Sequence, residues 1–271
     1  MALVTFNFES QCIGFNQEVS VILPDRPWDQ TAKAFYENKK KYKVLWLLHG
    51  TGGDHTDWIR KSNIEVYAAE KQLIVVMPSG FNADYTNWMG YATGLRMGDY
   101  LFDELMPMIH NWLPASDKPE DNYIAGLSMG GRGVMKYLLE YPEKFAAGAV
   151  LSAVPRDMTK AKTEADLFKG FMAGTLRAKN QFANAGGSVE AFLDGGENAW
   201  ARIDAMHKDG TLPKMLFACG KKDHFYKNYT KFKKHCIAEN IPVEFYELPQ
   251  YAHEWRFWDA AIQKALVFFE L

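Results

Sequence analysis

The run Tyr123-Ile124-Ala125-Gly126-Leu127-Ser128-Met129-Gly130-Gly131 constrains this chain most. Its apolar first half reads as a buried strand, and the residues after the serine read as the start of a helix. Gly126-x-Ser128-x-Gly130 fits the nucleophile-elbow pattern, in which a serine sits on a strained strand-to-helix turn. The hydroxyl then projects above the end of a parallel strand. Both glycines have a steric reason to be there, since a side chain at either would meet the neighbouring strand or helix. The plainer alternative is a glycine-rich helix start capped by a serine.

The segments around this turn set the fold class. Leu3–Phe8 and Glu18–Leu23 alternate apolar and polar residues, as an antiparallel pair at a sheet edge does. Tyr42–Leu48, Leu73–Met77, Phe145–Leu151, Lys214–Cys219 and Val243–Leu248 read as strands, the first two as nearly continuous apolar runs buried on both faces. Helical patterns cover Trp58–Lys71, about Gly98–Trp112, the segment from Ser128 to Tyr141, Tyr226–Asn240 and Trp255–Phe269. Strands alternating with helices predict an α/β fold: a mostly parallel central sheet with helices on both faces. Between Pro155 and Gly210 the apolar period is broken, with anchors such as Phe168, Phe192 and Trp200. We expect one domain over residues 1–271, with 155–210 inserted as a small helical cap.

Bulk properties exclude several classes. A formal net charge of −2 leaves no nucleic-acid footprint. The lysines at 39–41 and at Lys231, Lys233 and Lys234 read as solvated faces. Cys12, Cys219 and Cys236 show neither disulfide nor zinc spacing. No stretch is apolar enough to span a membrane and no leader is visible, so a cytoplasmic location is expected. GxxxxGK[ST], GxGxxG and HExxH are all missing, and neither a metal nor a cofactor is expected.

Ligand sites in such sheets lie beyond the carboxyl ends of the strands. His49-Gly50, Ser128, the residues after Cys219 and the loop after Leu248 all fall at such ends. A serine hydroxyl needs a base, and the base an orienting carboxylate. In this architecture their chain order is serine, acid, histidine. His253, in the last strand-to-helix loop, is the favoured base, and His224 is the alternative. His235 lies on a lysine-rich helix face and is expected to be solvated. Asp223 is the acid, with a helix N-cap as its competing role. Oxyanion donors are expected at the backbone N–H groups of Met129 and of Thr51, whose glycine neighbours let the backbone approach a ligand.

His49-Gly50-Thr51-Gly52-Gly53-Asp54-His55-Thr56-Asp57-Trp58, Gly126-Leu127-Ser128-Met129-Gly130-Gly131 and His253-Glu254-Trp255 together resemble the tributyrin esterase branch of the esterase D / S-formylglutathione hydrolase family. The resemblance spans nearly the whole chain and is weakest in 155–210. It implies an α/β-hydrolase fold, an acyl-serine intermediate and no cofactor. It assigns the triad to Ser128, Asp223 and His253, and the oxyanion hole to the amides of Thr51 and Met129. It also implies cleavage of short-chain acyl esters, acetylated sugars or feruloyl-type esters. S-formylglutathione hydrolases typically carry a cysteine soon after the HG of the oxyanion loop. Thr51-Gly52-Gly53-Asp54 has none, which ranks thioester hydrolysis lower.

The expected function is therefore a serine carboxylesterase acting on a small-molecule ester, with acyl transfer to a sugar or alcohol as an alternative. A non-catalytic binding protein is disfavoured by the intact serine, acid and histidine. His49, Gly50, Trp58, Tyr85, Trp88, Met89 and Trp255 are candidate substrate-pocket residues; core packing is the competing role for the aromatics. Asp54, His55 and Asp84 are read as sugar-hydroxyl ligands or loop caps. An exposed aromatic cap would permit a homo-oligomer, though nothing in the pattern requires one.

Overall fold

A computed structural model of the protein describes residues 2–88, 95–168, 172–195 and 197–271. Its centre is an eight-stranded sheet: β1 (Ala2–Ser10), β2 (Phe15–Leu23), β3 (Val44–Leu48), β4 (Ile74–Pro78), β5 (Asn122–Leu127), β6 (Ala147–Leu151), β7 (Met215–Gly220) and β8 (Glu244–Leu248). The spatial order is β1-β2-β4-β3-β5-β6-β7-β8. The β1/β2 and β2/β4 pairs are antiparallel, and every other pair is parallel. This is the α/β-hydrolase arrangement, with the edge hairpin where the alternating pattern puts it.

The helical segments are α1 (Ala32–Tyr36), α2 (Asp57–Lys61), α3 (Ile64–Lys71), α4 (Met97–Asp99), a π-helical turn at Tyr100–Leu105, α5 (Met106–Trp112), α6 (Met129–Glu140), α7 (Glu164–Leu167), α8 (Leu176–Asn184), α9 (Val189–Asp194), α10 (Ala199–Lys208), α11 (Tyr226–Ala238) and α12 (Trp255–Phe268). Successive strand side chains point to opposite faces. Trp46, Leu48, Ile124, Val150 and Phe217 therefore pack with α5, α6 and α11 on one face. Leu45, Leu47, Ala125, Leu151 and Ala218 pack with α3 and α12 on the other. Val134 and Leu138 of α6, and Ala261, Ile262 and Ala265 of α12, recur at the helical period and are buried.

Two helices depart from the expected outlines. The segment Trp58–Lys71 is not continuous: α2 ends at Ser62, whose hydroxyl donates back to the Trp58 carbonyl. The chain restarts where Asp259 of α12 accepts from the Asn63 N–H at 2.8 Å. Before α5, the π turn precedes Pro107, which has no N–H to continue the ladder. Between β6 and β7 lie α7–α10, and Met158, Leu167, Phe168, Ala178 and Phe192 form a small apolar cluster of their own there. No helix among the described residues is long and apolar enough to cross a membrane.

Candidate active site

Ser128 follows the last residue of β5 with φ 53° and ψ −113°. A non-glycine residue there carries roughly 1–3 kcal/mol of backbone strain, so the surroundings must impose it. The Ser128 N–H donates to the Leu151 carbonyl of β6 at 2.8 Å, and its carbonyl accepts from Arg132 N at 3.1 Å. The flanking glycines are needed for space. A Cβ on Gly126 would stand 2.6 Å from the Gly130 carbonyl carbon, and one on Gly130 2.5 Å from the Leu48 carbonyl oxygen. The elbow is thus wedged between β5 and the end of β3.

Two more strand ends deliver the partners. Asp223 lies in the turn after β7 and His253 in the loop after β8. Lys221 N donates to the Leu248 carbonyl and Lys222 N to the Tyr251 carbonyl, both at 2.9 Å, which holds the two loops together. The His253 Nδ1 is 2.8 Å from the Asp223 Oδ2, and its Nε2 is 3.0 Å from the Ser128 Oγ. The Asp223 Oδ1 accepts from the Phe225 N–H at 2.9 Å. The competing capping role is not taken up: the N-cap of α11 is Phe225, with no side-chain cap bond, and the bond to Asp223 fixes the turn before the helix instead. Burial pushes the Asp223 carboxyl up, but the bonds from His253 and the Phe225 N–H outweigh it and keep its pKa below the usual carboxylate value.

A further residue on Asp223 carries no sequence motif. Ser152, wholly buried just after β6, sits beside the Asp223 carboxylate, helps to hold its pKa down, and accepts from the Trp258 indole N–H at 2.9 Å. Its φ of 49° repeats the Ser128 bend at the end of the adjacent strand. The one available signal was its position directly beyond an apolar strand.

Met129 occupies the first position of α6, where an N–H has no partner within the helix. Among the described residues the Thr51 N–H has none either. The Thr51 loop is fixed by its neighbours: Gly52 N donates to the Asn82 Oδ1 at 2.8 Å and Gly53 N to the Gly50 carbonyl at 3.2 Å. His49 supports it from beneath. Its Nδ1 is 2.7 Å from the Gly50 carbonyl, and its Nε2 accepts from Gly80 N at 2.7 Å. Burial pulls this imidazole below its ordinary pKa, which suits a neutral ring holding one donor and one acceptor bond.

Ser128 opens on two spaces. A cavity of about 780 Å³ reaches toward α7–α9 and is walled by Thr51, Met129, Met135, Val154, Phe168 and Phe192, among others. A smaller cleft of about 400 Å³ contains Gly50, Thr51, Lys61, His253, Trp255 and Trp258. Several expected pocket residues line neither space. His49, Trp58 and Tyr85 are about 1% exposed. The Trp58 indole donates to the Leu48 carbonyl and the Tyr85 hydroxyl to the His49 carbonyl, so both are structural supports. Trp88 is half-buried and donates to the Ala83 carbonyl. Met89 lies outside the described residues. Gly50 and Trp255 do line the smaller cleft.

Other polar expectations also resolve. Asp54 caps Thr56, and His55 bonds Ser20 and Glu18. Asp84 is buried between Arg132, Arg177 and Gln181. His235 is not solvated: its Nε2 is 2.7 Å from Asp204 and its ring lies against Trp200. His224 is not bonded to Ser128; its ring lies 4.6 Å from that of His253. Asp223, His224 and His253 have the ligand spacing of a cation site, but Asp223 and His253 already bond each other there.

Comparison with known proteins fixes the family. Residues 10–269 match the protein family described as "Putative esterase". The chain belongs to this esterase family. The acetyl esterase of Caldicellulosiruptor saccharolyticus is 25% identical, over 98% of this chain and 97% of its own. Among solved structures, the fluorophosphonate-binding serine hydrolase F of Staphylococcus aureus is 31% identical, with a TM-score of 0.78 over 99% of this chain and 98% of its own. The S-formylglutathione hydrolase of Staphylococcus aureus is 30% identical, with a TM-score of 0.77 over the same shares. The esterase is accordingly a carboxylic ester hydrolase of the serine type, with the α/β-hydrolase fold.

Proposed function

We propose that this esterase hydrolyses short-chain acyl esters, such as acetyl or butyryl esters, or hydroxycinnamoyl esters of the feruloyl type, through an acyl-serine intermediate. The observation that carries the reading is the bonded row from Asp223 through His253 to Ser128, at 2.8 and 3.0 Å. In this reading Ser128 Oγ attacks the ester carbonyl while His253 Nε2 takes its proton. The negative oxygen sits between the N–H groups of Thr51 and Met129, each donor worth roughly 2.7–4 kcal/mol in other enzymes. The tetrahedral species collapses, and His253 returns the proton to the departing alcohol. Water then attacks the acyl-serine, giving its proton to His253, and Ser128 recovers that proton as the carboxylic acid leaves. Asp223 keeps His253 in the tautomer with a proton on Nδ1 and steadies the imidazolium.

His253 lines the smaller cleft and not the larger cavity, so the leaving alcohol belongs in the cleft and the acyl group in the cavity. The apolar stretch Met129, Met135, Val154 and Phe168 suits an acyl chain. Residues 155–210 act as the cap over that cavity. The three free, buried cysteines accord with a cytoplasmic enzyme.

The structural likeness to an S-formylglutathione hydrolase favours a second reading, hydrolysis of a small acyl thioester by the same residues. A panel of p-nitrophenyl acetate, butyrate and ferulate with S-formylglutathione separates the two by kcat/KM. Ser128→Ala should lose at least about 10⁴-fold in kcat on whichever ester is best. Full activity in that variant would sink the mechanism. His253→Ala should lose acylation while His224→Ala keeps it; the reverse would reassign the base.

A further inference from the structure

Five cations and four carboxylates line the larger cavity. Asp84 is shared by Arg132 and Arg177, and Glu197 engages Arg132 and Lys136. Asp157 holds Lys231 at 2.7 Å, and Asp166 is taken up by the capping box of α7. Lys227 is exposed to solvent. Arg156 differs from all of these. It is half-buried, and among the described residues no carboxylate lies within ion-pair distance of it. One nitrogen, Nη2, donates to the Leu167 carbonyl at the end of α7 and lies 3.9 Å from the Met158 Sδ. A guanidinium has five N–H donors, so most remain for another partner.

Burial disfavours this charge, the positive Arg132 adds to the penalty, and Glu197 offsets them only in part, so the Arg156 pKa is pulled below its ordinary value. A half-buried cation whose charge is only partly offset is costly unless an occupant of the cavity supplies the rest. Between the paired charges the cavity wall is apolar, with Met158, Phe168, Met172 and Phe192. Apolar side chains beside one guanidinium outside the ion pairs fit an acyl chain ending in a carboxylate, which a guanidinium grips with two parallel bonds.

We propose that Arg156 binds a carboxylate at the far end of the acyl group, making half-esters of dicarboxylic acids substrates that this enzyme prefers to neutral esters of equal chain length. The proposal rests on the reading of Ser128 as nucleophile and of the larger cavity as the acyl side. Its alternative is that Arg156 only ties α7 to the loop after β6.

The monoethyl esters of succinic, glutaric and adipic acids can be compared with ethyl butyrate, valerate and hexanoate by released ethanol. At least one half-ester should exceed its neutral counterpart in kcat/KM. In Arg156→Met the ratio of half-ester to neutral ester should fall roughly 10- to 100-fold, mainly through KM, as loss of a bond to a charged group implies. Arg156→Lys should recover part of the ratio. The free dianion of the preferred acid should also inhibit ethyl butyrate hydrolysis competitively in the wild-type enzyme, a readout that needs no variant to fold. Neutral esters preferred throughout, or equal loss of both series in Arg156→Met, would overturn the proposal while leaving Ser128 intact. Failure to turn over any ester would instead remove the underlying reading.

Discussion

Asp223 keeps a negative charge in a side chain that solvent does not reach, because two hydrogen bonds and the nearby Ser152 hydroxyl favour the charged form. The Phe225 N–H takes one oxygen and the His253 Nδ1–H the other, and the Ser152 hydroxyl lowers the pKa a little further. Ser152 accepts from Trp258, whose ring makes a T-shaped contact with the His253 imidazole, ring centroids 5.0 Å apart. It is a positioning residue, acting on the reaction through Asp223 and not on the substrate. Ser152→Ala would leave the Trp258 N–H unpaired and withdraw a hydroxyl that favours the Asp223 charge. We predict a fall in kcat of roughly tenfold with KM unchanged, the size of one bond to a charged group. A KM that rises in step with falling kcat would point to collapse of the cleft instead. Steady-state kinetics on p-nitrophenyl butyrate separates the two.

The elbow is the element whose geometry leaves least freedom. Gly130→Ala places a methyl 2.5 Å from the Leu48 carbonyl, a backbone atom that cannot rotate away. The α6 N-terminus must then lift from β3, carrying Met129 with it. Such overpacking costs about 1–3 kcal/mol, so the urea midpoint should fall, and kcat should fall with it as Met129 N moves. An unchanged midpoint would mean that β3 yields more easily than its position suggests. Strands and elbow were legible because burial on both faces writes itself as unbroken apolar runs, and because Gly126 and Gly130 leave a steric signature. That Asp223 and His253 would meet beside Ser128 was legible because chain order and strand ends limit where they can lie. The break at Ser62 was not legible, since it depends on Asp259 nearly two hundred residues away. Nor could aromatic content say which rings face substrate. Trp58, Tyr85 and Trp255 look alike in sequence, and only tertiary packing puts the first two beneath the site and the third beside it.

Across the whole molecule, one buried carboxylate joins the segment between β6 and β7 to the sheet. Asp84 pairs with Arg132 of α6 and with Arg177 of α8, and the same Arg177 reaches the Thr51 hydroxyl at 3.2 Å. The cap candidate, the elbow helix and the Thr51 loop are therefore tied at one point. Burial raises the Asp84 pKa, but Arg132 and Arg177 outweigh it and hold the carboxyl below its ordinary value. A depressed carboxyl stabilises the fold fully above its unfolded pKa of about 3.9, and the unfolded chain takes up the proton first as pH falls. The contribution is then lost as pH drops through the folded value. His49, also depressed by burial, works the same way from a higher start: its contribution is complete above about 6.5 and declines below it. We therefore predict a melting temperature that is flat above neutrality, eases as pH falls below about 6.5 and drops again below about 4. Asp84→Asn removes the ion pairs at every pH. It should lower the melting temperature near neutrality, where removing one partner of a buried pair costs about 3–5 kcal/mol, and should shrink the second drop. Thermal melts of both proteins from pH 8 to pH 3 test this, and an undiminished second drop in Asp84→Asn would place the acid sensitivity on other carboxylates.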